Sequence, residues 1–345
     1  MVRSLILTAP RVLAFDVQPE ALLGAGQVRI RTLYSGISAG TELTQYRGTN
    51  PFMHRQFDEA RRMFIDAAEP SWTWPVRNLG YEEVGEIVEV GADVTGLSVG
   101  QHIYGTWNHK THHVADADYA RDRLMPEGAD PRSGIFSHIG AVALNGVHDA
   151  NIRIGDTVAV FGLGVPGQIV AQAARASGAH VIAVDPDPFR RQMAESLGAH
   201  VTLDAANAAD AIKEMTNGRG ADSCIEVSGA PSGLSEAIRA AAYSSRVIAM
   251  GFFQGDLKGV NFGEEFHHNR IQLICSQISG VAPESSYRWS KPRLWRTAIE
   301  LQHKGVLNLV PLITHVAPFS DAQVLFEQLD QGTPRMMQSM LEFGA

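Results

Sequence analysis

"DTVAVFGLGVPGQIVAQAARASG" (156–178) joins an apolar strand to an amphipathic helix through a glycine-rich turn. Val158 to Phe161 is apolar at every position, the pattern of a strand buried on both faces. The turn reads Gly162-Leu163-Gly164-Val165-Pro166-Gly167. Gly162 permits a tight turn, Gly164 lets the backbone approach a pyrophosphate, and Gly167 lets the helix pack on the strand. The helix then opens toward the phosphates with unpaired N–H groups and the positive end of its dipole. These six residues are predicted to hold a dinucleotide.

Working outward, "HVIAVD" (180–185) is a second apolar strand ending in Asp185, 23 positions after Gly162. An acid there accepts the ribose hydroxyls of NAD and repels the 2′-phosphate of NADP. Asp185 also suits the cap of a helix beginning after Pro186. Arg190 and Arg191, just beyond it, are the residues that would favour NADP. "EVSG" (226–229) closes a later strand at the same sheet edge, so Ser228 and Gly229 are expected to line the nicotinamide side. Between 151 and 280 apolar strands and helices alternate, which predicts an α/β, doubly wound parallel sheet covered by helices.

Residues 27–46 and 80–120 read differently. Short β-type runs ("VRIRTLYSG", "GEIVEVG", "QHIYGTW", "HHVAD") with close Gly and Asp punctuation predict a compact β-rich module. After Gly280 come two helical patterns and a closing strand, "QSMLEFG". The stretch 48–77 fits neither module. Phe57, Ala60, Arg61 and Phe64 are spaced for one face of a short helix, flanked by Phe52, Trp72 and Trp74. It reads either as a surface or subunit contact or as a lid over the substrate.

The length of 345 residues suits two domains, and 45% hydrophobic with 19% charged residues is ordinary for a folded protein. A formal net charge of −8 argues against a nucleic-acid partner. Cys224 and Cys275 are too few for a disulfide framework or a four-cysteine structural zinc lobe. The N-terminal apolar run, Leu5 to Leu7, is too short for a leader or a membrane span, so a cytoplasmic protein is expected.

"SGISAGTEL" (35–43), "GYEEVGEIVEVGADVTGLSVGQHIYG" (80–105), the 162–167 turn with Asp185, and "PLITHVAPFSDAQVLFEQL" (311–329) together resemble the medium-chain dehydrogenase/reductase superfamily over nearly the whole chain. "SGISAGTE" is similar to the bacteriochlorophyllide dehydrogenase-like branch, from which no pigment substrate is taken. The resemblance implies a GroES-like catalytic domain (1–135 and 281–345) and a Rossmann domain (136–280). It also implies a homodimer or dimer of dimers, with "RVIAMGFF" and "RIQLICSQI" apolar enough to pair across a two-fold axis.

The departures from the family matter most. Where zinc members carry the Cys ligand, this chain has Ser38 or Ala39; where they carry the His ligand, it has Tyr81; only Glu82 remains. A catalytic zinc needs about three N or S ligands plus water, which Ser, Tyr and one Glu do not supply, so no metal is expected. His109, His112 and His113 are badly spaced for chelation on a strand, and His267 and His268 diverge; hydrogen-bonded or solvated roles are expected for all five. Without a Lewis acid a hydrogen-bond donor must face the substrate oxygen. Tyr81 is the candidate, against the alternative that it only fills the vacated metal position. Thr41 would relay a proton, Glu82 would orient the group or pair with a basic residue, and Lys110 or His138 would supply a cation. His138 equally suits a helix cap. Ser38, Trp72, Trp74 and Lys110 are candidate substrate-side residues.

The expected function is zinc-independent, NAD-dependent hydride transfer between nicotinamide and a secondary alcohol or ketone, such as a polyol or sugar derivative. The alternatives are an NADPH-dependent quinone or enoyl reductase, against which Asp185 counts, and a cofactor-binding protein without turnover.

Overall fold

The computed structural model describes residues 1–66 and 69–344. The chain divides into two compact units, 1–138 with 310–345, and 139–309. The first begins with β1 (Val2–Ala9) and β2 (Val12–Gln18), paired antiparallel, followed by β3 (Gln27–Ile37) and the short helix α1 (Thr41–Arg47). Then come β4 (Gln56–Asp58), β5 (Met63–Ile65), β6 (Glu83–Val90), β7 (His102–Gly105), β8 (His112–Asp116) and α2 (Ala117–Arg121). Strand β3 is the hub. Val28, Ile30 and Thr32 alternate into the core, as period-2 patterning requires. Its antiparallel register with β6 sets Ser35 opposite Glu83, which places two polar side chains side by side inside the unit.

Helix α3 (Ser137–Ala150) leads into the second unit. There β9 (Thr157–Phe161), α4 (Val165–Ala176), β10 (His180–Val184), α5 (Pro188–Ser196), β11 (Val201–Leu203), α6 (Ala208–Met215), β12 (Ala221–Glu226), α7 (Pro231–Ala240), β13 (Ala241–Ala249) and β14 (Gln272–Cys275) alternate as expected. The six strands are parallel in the order β11-β10-β9-β12-β13-β14. Strand order reverses at β9, so the ends of β9 and β12 flank a topological switch point, where open α/β sheets bind ligands. Helix α8 (Lys291–His303) follows, and the chain returns to the first unit with β15 (Ile313–Pro318), α9 (Ala322–Asp330) and β16 (Gln338–Glu342). Strand β16 pairs with β3, with Ser339 opposite Ile37.

Three expectations need correction. The second unit ends at Leu309, not near 280. Helix α8 buries Leu294, Ala298 and Ile299 there, and a Cβ on Gly140 would lie 2.8 Å from Ala298 Cβ. The Asn308 N–H donates to Gln172 Oε1 on α4 at 2.7 Å. The periodicity of α8 marks an apolar face but not which core receives it.

The stretch around 57–64 is a hairpin, not a helix. Phe57 sits opposite Phe64 across β4 and β5, with ring centroids 5.1 Å apart, and Phe52 packs on both. Cross-strand aromatic pairing outweighs the helical spacing. Ala67 and Ala68 of the proposed lid lie outside the described residues.

Strand β13 is bonded on both sides, by β12 and β14, so "RVIAMGFF" has no free edge for subunit pairing, whereas β14 is an edge strand. Among the described residues no helix is long and apolar enough to cross a membrane.

Candidate active site

The first unit gathers a polar cluster at the end of β3 and the start of β6. Glu42, in the first turn of α1, is fully buried. Its Oε1 accepts the N–H of Ser38 at 2.9 Å, and its own N–H donates to Ser38 O. Glu42 Oε2 lies 2.8 Å from His109 Nε2. His109 Nδ1 lies 2.6 Å from Ser35 Oγ, which in turn donates to Glu83 Oε1 at 3.1 Å. Glu83 Oε2 takes the Trp107 N–H at 2.6 Å. Glu82 is buried against Gly36, where a Cβ would stand 2.5 Å from its Oε2; that oxygen accepts from Gln338 Nε2 at 3.3 Å. The two hydroxyls of Ser38 and Thr41 stand at the Tyr81 phenol. The Tyr81 ring meets the His138 ring edge to face at 4.9 Å.

These neighbours decide protonation. Burial pushes the Tyr81 phenol far above its ordinary value; Glu82 and Glu42 add to the rise, and the Ser38 and Thr41 hydroxyls oppose it only in part. The Tyr81 phenol is therefore neutral. Burial also holds Glu82 well above the usual carboxylate range, reinforced by Glu42 and Glu83. For His109, burial alone would favour the neutral ring, but the charge and hydrogen bond of Glu42, with Glu83, outweigh it and raise the imidazole. Burial pushes Glu83 up to about 7 against the pull of His109 and the Trp107 N–H.

The Glu83 shift makes a pH prediction. A carboxyl whose folded value is raised contributes full stability below its unfolded value, about 4.3–4.5, and loses it as pH rises through about 7. Stability should fall across that window by up to about 3 kcal/mol from this group. Thermal melts between pH 4.5 and 8 should give a shallower slope for Glu83→Gln than for the wild type. An unchanged slope would assign the pH dependence elsewhere.

In the second unit, the 162–167 turn has the form its glycines require. Gly162 has φ +93, and a Cβ there would lie 2.6 Å from Ser228 N. A Cβ on Gly167 would lie 1.9 Å from Gly162 O. Gly164 is different. Its backbone is extended, and a Cβ would meet nothing nearer than Pro166 Cδ at 4.0 Å. Local packing leaves room for a side chain at Gly164, at the mouth of α4, so the residues present fit a pyrophosphate resting on this backbone. Leu163, Val165 and Pro166 complete the turn and the first residues of α4. Asp185 is buried and accepts the N–H groups of Leu163 (2.7 Å) and Asp187 (2.8 Å), with Arg190 at 3.7 Å. The helix cap that Asp185 could have formed belongs to Asp187, which accepts from Phe189 N. Ser228 and Gly229 fold back over Glu226, which accepts from the Ser228 hydroxyl and both backbone N–H groups.

The sequence-derived candidates divide. Tyr81, Thr41, Ser38 and His138 come together. Glu82 pairs with the amide of Gln338 and not with a basic residue, because β16 brings Gln338 across from the far end of the chain. Lys110 is lowered by burial, with Glu83 opposing; its charge acts on His113, whereas Tyr81 is set by burial, Glu82, Glu42, Ser38 and Thr41. Trp72 stacks on Phe52 at 5.0 Å and so spends a face inside the hairpin, while Trp74 is exposed. Sequence reasoning missed Glu83 and Gln338, and although it expected a hydrogen-bonded or solvated role for His109, it did not place that ring in the cluster. Gly80 was the available signal for His109. A Cβ on Gly80 would stand 2.7 Å from His109 Nδ1.

A β-rich unit with this cluster and a parallel-sheet unit with this turn define a dehydrogenase of the medium-chain type. Residues 24–150 match the alcohol dehydrogenase GroES-like domain and residues 166–298 the zinc-binding dehydrogenase family. The chain belongs to the zinc-type alcohol dehydrogenase-like medium-chain dehydrogenase/reductase superfamily, and it is an oxidoreductase. It is 33% identical over 334 residues to D-guloside 3-dehydrogenase of Escherichia coli (strain K12), covering 94% of this chain and 95% of the relative. Its fold is similar to that of an alcohol dehydrogenase from E. coli CFT073 complexed with NADH (TM-score 0.77, 19% identity, 99% of each chain). It is also similar to that of a zinc-binding dehydrogenase from Sinorhizobium meliloti 1021 bound to NADP (TM-score 0.76, 20% identity, 99% of each chain).

Proposed function

We propose that this protein is a zinc-independent, NAD(H)-dependent oxidoreductase interconverting a secondary alcohol and its ketone on a hydroxylated, sugar- or polyol-type substrate. The observation that carries the reading is Tyr81. A phenol held neutral beside two hydroxyls stands where zinc members place a metal-binding imidazole. When bound, the nicotinamide supplies or receives the hydride. Tyr81 would donate its proton to the carbonyl oxygen, and the Ser38 or Thr41 hydroxyl would relay a proton from solvent to the phenolate, taking up one as it gives up its own. A phenol raised this far is held in its neutral form, so it begins the cycle carrying the proton that ketone reduction needs. The similarity to a D-guloside dehydrogenase supports a ring-hydroxyl substrate.

The donor set does not suit zinc. Zinc takes deprotonated ligand atoms. Here the position offers a serine hydroxyl, a phenol, and a Glu82 carboxyl buried and turned to Gln338, in place of the thiolate and imidazole that zinc takes. The testing experiment is a panel of D-gulosides, other sugars, polyols and their keto forms, followed by NADH absorbance, with metal analysis of the same sample. Turnover with well under one equivalent of zinc, unaffected by chelator, is expected. Stoichiometric zinc that tracks activity would end the proposal.

Asp185 supports NAD over NADP. Its carboxylate is buried at the end of β10, Arg191 is occupied by Asp185 O, Pro186 O and Asp204, and Arg190 lies 3.7 Å from Asp185 and 3.8 Å from Asp187. Asp185→Ala should shift the NAD-to-NADP affinity ratio toward NADP by about 10- to 100-fold, the range of a lost charged hydrogen bond. Cofactor titration by fluorescence reads it. A wild-type preference for NADP(H) would assign control to Arg190.

A further inference from the structure

His109 sits fully buried in the polar cluster, and its hydrogen bonds count its protons. The Ser35 hydroxyl has one proton. Because it donates to Glu83, it must accept from His109 Nδ1–H. Glu42 Oε1 is occupied by the Ser38 N–H, so the 2.8 Å contact between Glu42 Oε2 and His109 Nε2 holds a second proton. The geometry fits an imidazolium that donates from Nε2 to Glu42 and from Nδ1 to the Ser35–Glu83 pair, the pairing that a buried charge requires. The ring is also wedged mechanically. Gly80 lies on it with φ +95, and any Cβ there would strike Nδ1, Cγ and Cε1 within 2.8 Å. The edge of Phe326 closes in at 6.2 Å. Its backbone is fixed as well, with His109 N–H on Leu79 O and Leu5 N–H on His109 O.

Two segments therefore meet on one ring. Segment 35–42 contributes Ser35 and Glu42, and Glu42 holds the Ser38 backbone at the start of a seven-residue helix that has no side-chain cap of its own. Segment 79–83 contributes Gly80 and Glu83, either side of Tyr81. We propose that His109 is a positioning residue: as an imidazolium bridging Glu42 and the Ser35–Glu83 pair, it fixes the Ser38 and Thr41 hydroxyls against the Tyr81 phenol. The role for catalysis rests on the reading of Tyr81 as proton donor. The charge state and the positioning do not.

The test uses the whole protein without substrate. Nitrogen-15 spectra at pH 8, where an ordinary imidazole is neutral, should give both His109 ring nitrogens protonated. In protein labelled at tyrosine Cζ, the Tyr81 signal is assigned by its loss in Tyr81→Phe. His109→Gln should shift or split that signal and leave those of Tyr243 and Tyr287, in the other unit, unmoved. If His109→Gln does not fold, Glu42→Gln should move the same signal. With any panel substrate that turns over, His109→Gln should lower kcat roughly 10- to 100-fold without changing cofactor Kd, and the double variant with Tyr81→Phe should be no slower than Tyr81→Phe alone. A neutral His109 ring at pH 8, an unmoved Tyr81 signal, or additive kinetic losses overturn the proposal. Near-wild-type turnover by Tyr81→Phe would sink only the donor role, and the two sets of spectra would still decide His109.

Discussion

Tyr81→Phe is expected to lower kcat by about 10²–10⁴-fold, the usual contribution of a positioned general acid, while cofactor binding stays unchanged. The variant keeps the ring and its 4.9 Å contact with His138, and removes only the hydroxyl. Shape is preserved, so the lost rate measures proton donation. The phenol cannot be replaced easily from nearby. Glu82 is turned to Gln338, and the charge of Lys110 acts on His113. Ser38 and Thr41 remain at the position and can pass a proton, but a neutral aliphatic hydroxyl is a weaker acid than a phenol. Thr41→Ala and His138→Ala should each cost less than Tyr81→Phe if they relay or orient. Steady-state kinetics in the ketone-reducing direction read all three. Near-wild-type kcat in Tyr81→Phe would make the ring a filler of the position where relatives hold metal.

The second large effect separates two glycines three residues apart. Gly167→Ala places a methyl 1.9 Å from the carbonyl oxygen of Gly162, and backbone cannot step aside as a side chain can. About 1–3 kcal/mol or more of overpacking should fall on the unliganded protein, and the displaced turn should lose cofactor with it. Gly164→Ala meets nothing within the protein, and its φ of −63 is open to any residue. Its unliganded stability should change by less than about 1 kcal/mol, the range for an N-cap exchange. Its cofactor Kd should nevertheless rise about 10- to 100-fold, because the methyl occupies the room in which a pyrophosphate would meet the helix N–H groups. Thermal melts with and without NADH, beside cofactor titration, distinguish the two. A Gly164→Ala variant that binds cofactor like the wild type would place the pyrophosphate elsewhere.

Much of the second unit was legible because its rules are local. A strand apolar on both faces, glycines at fixed offsets and an acid at the end of the next strand each follow from neighbours within about 25 positions, and β9, α4 and β10 formed where those patterns lay. The hairpin around Phe57 and Phe64 was not legible, since the same spacing suits one helix face and the choice fell to ring pairing across two short strands. Helix α8 displayed its apolar face, but only packing against Gly140 and the tie from Asn308 to α4 assigned it to the second unit.

The polar cluster marks the limit most clearly. The sequence by itself determined that a phenol follows Gly80 and that glutamates stand at 42, 82 and 83. Only the tertiary structure decided their states. It set Ser35 opposite Glu83 through the β3–β6 register, delivered Gln338 to Glu82 through β16, and buried His109, 67 positions from Glu42, between two carboxylates. The physical reason is that a protonation state is set by loss of water and by charges a few ångströms away, and those neighbours come from segments that no local pattern connects.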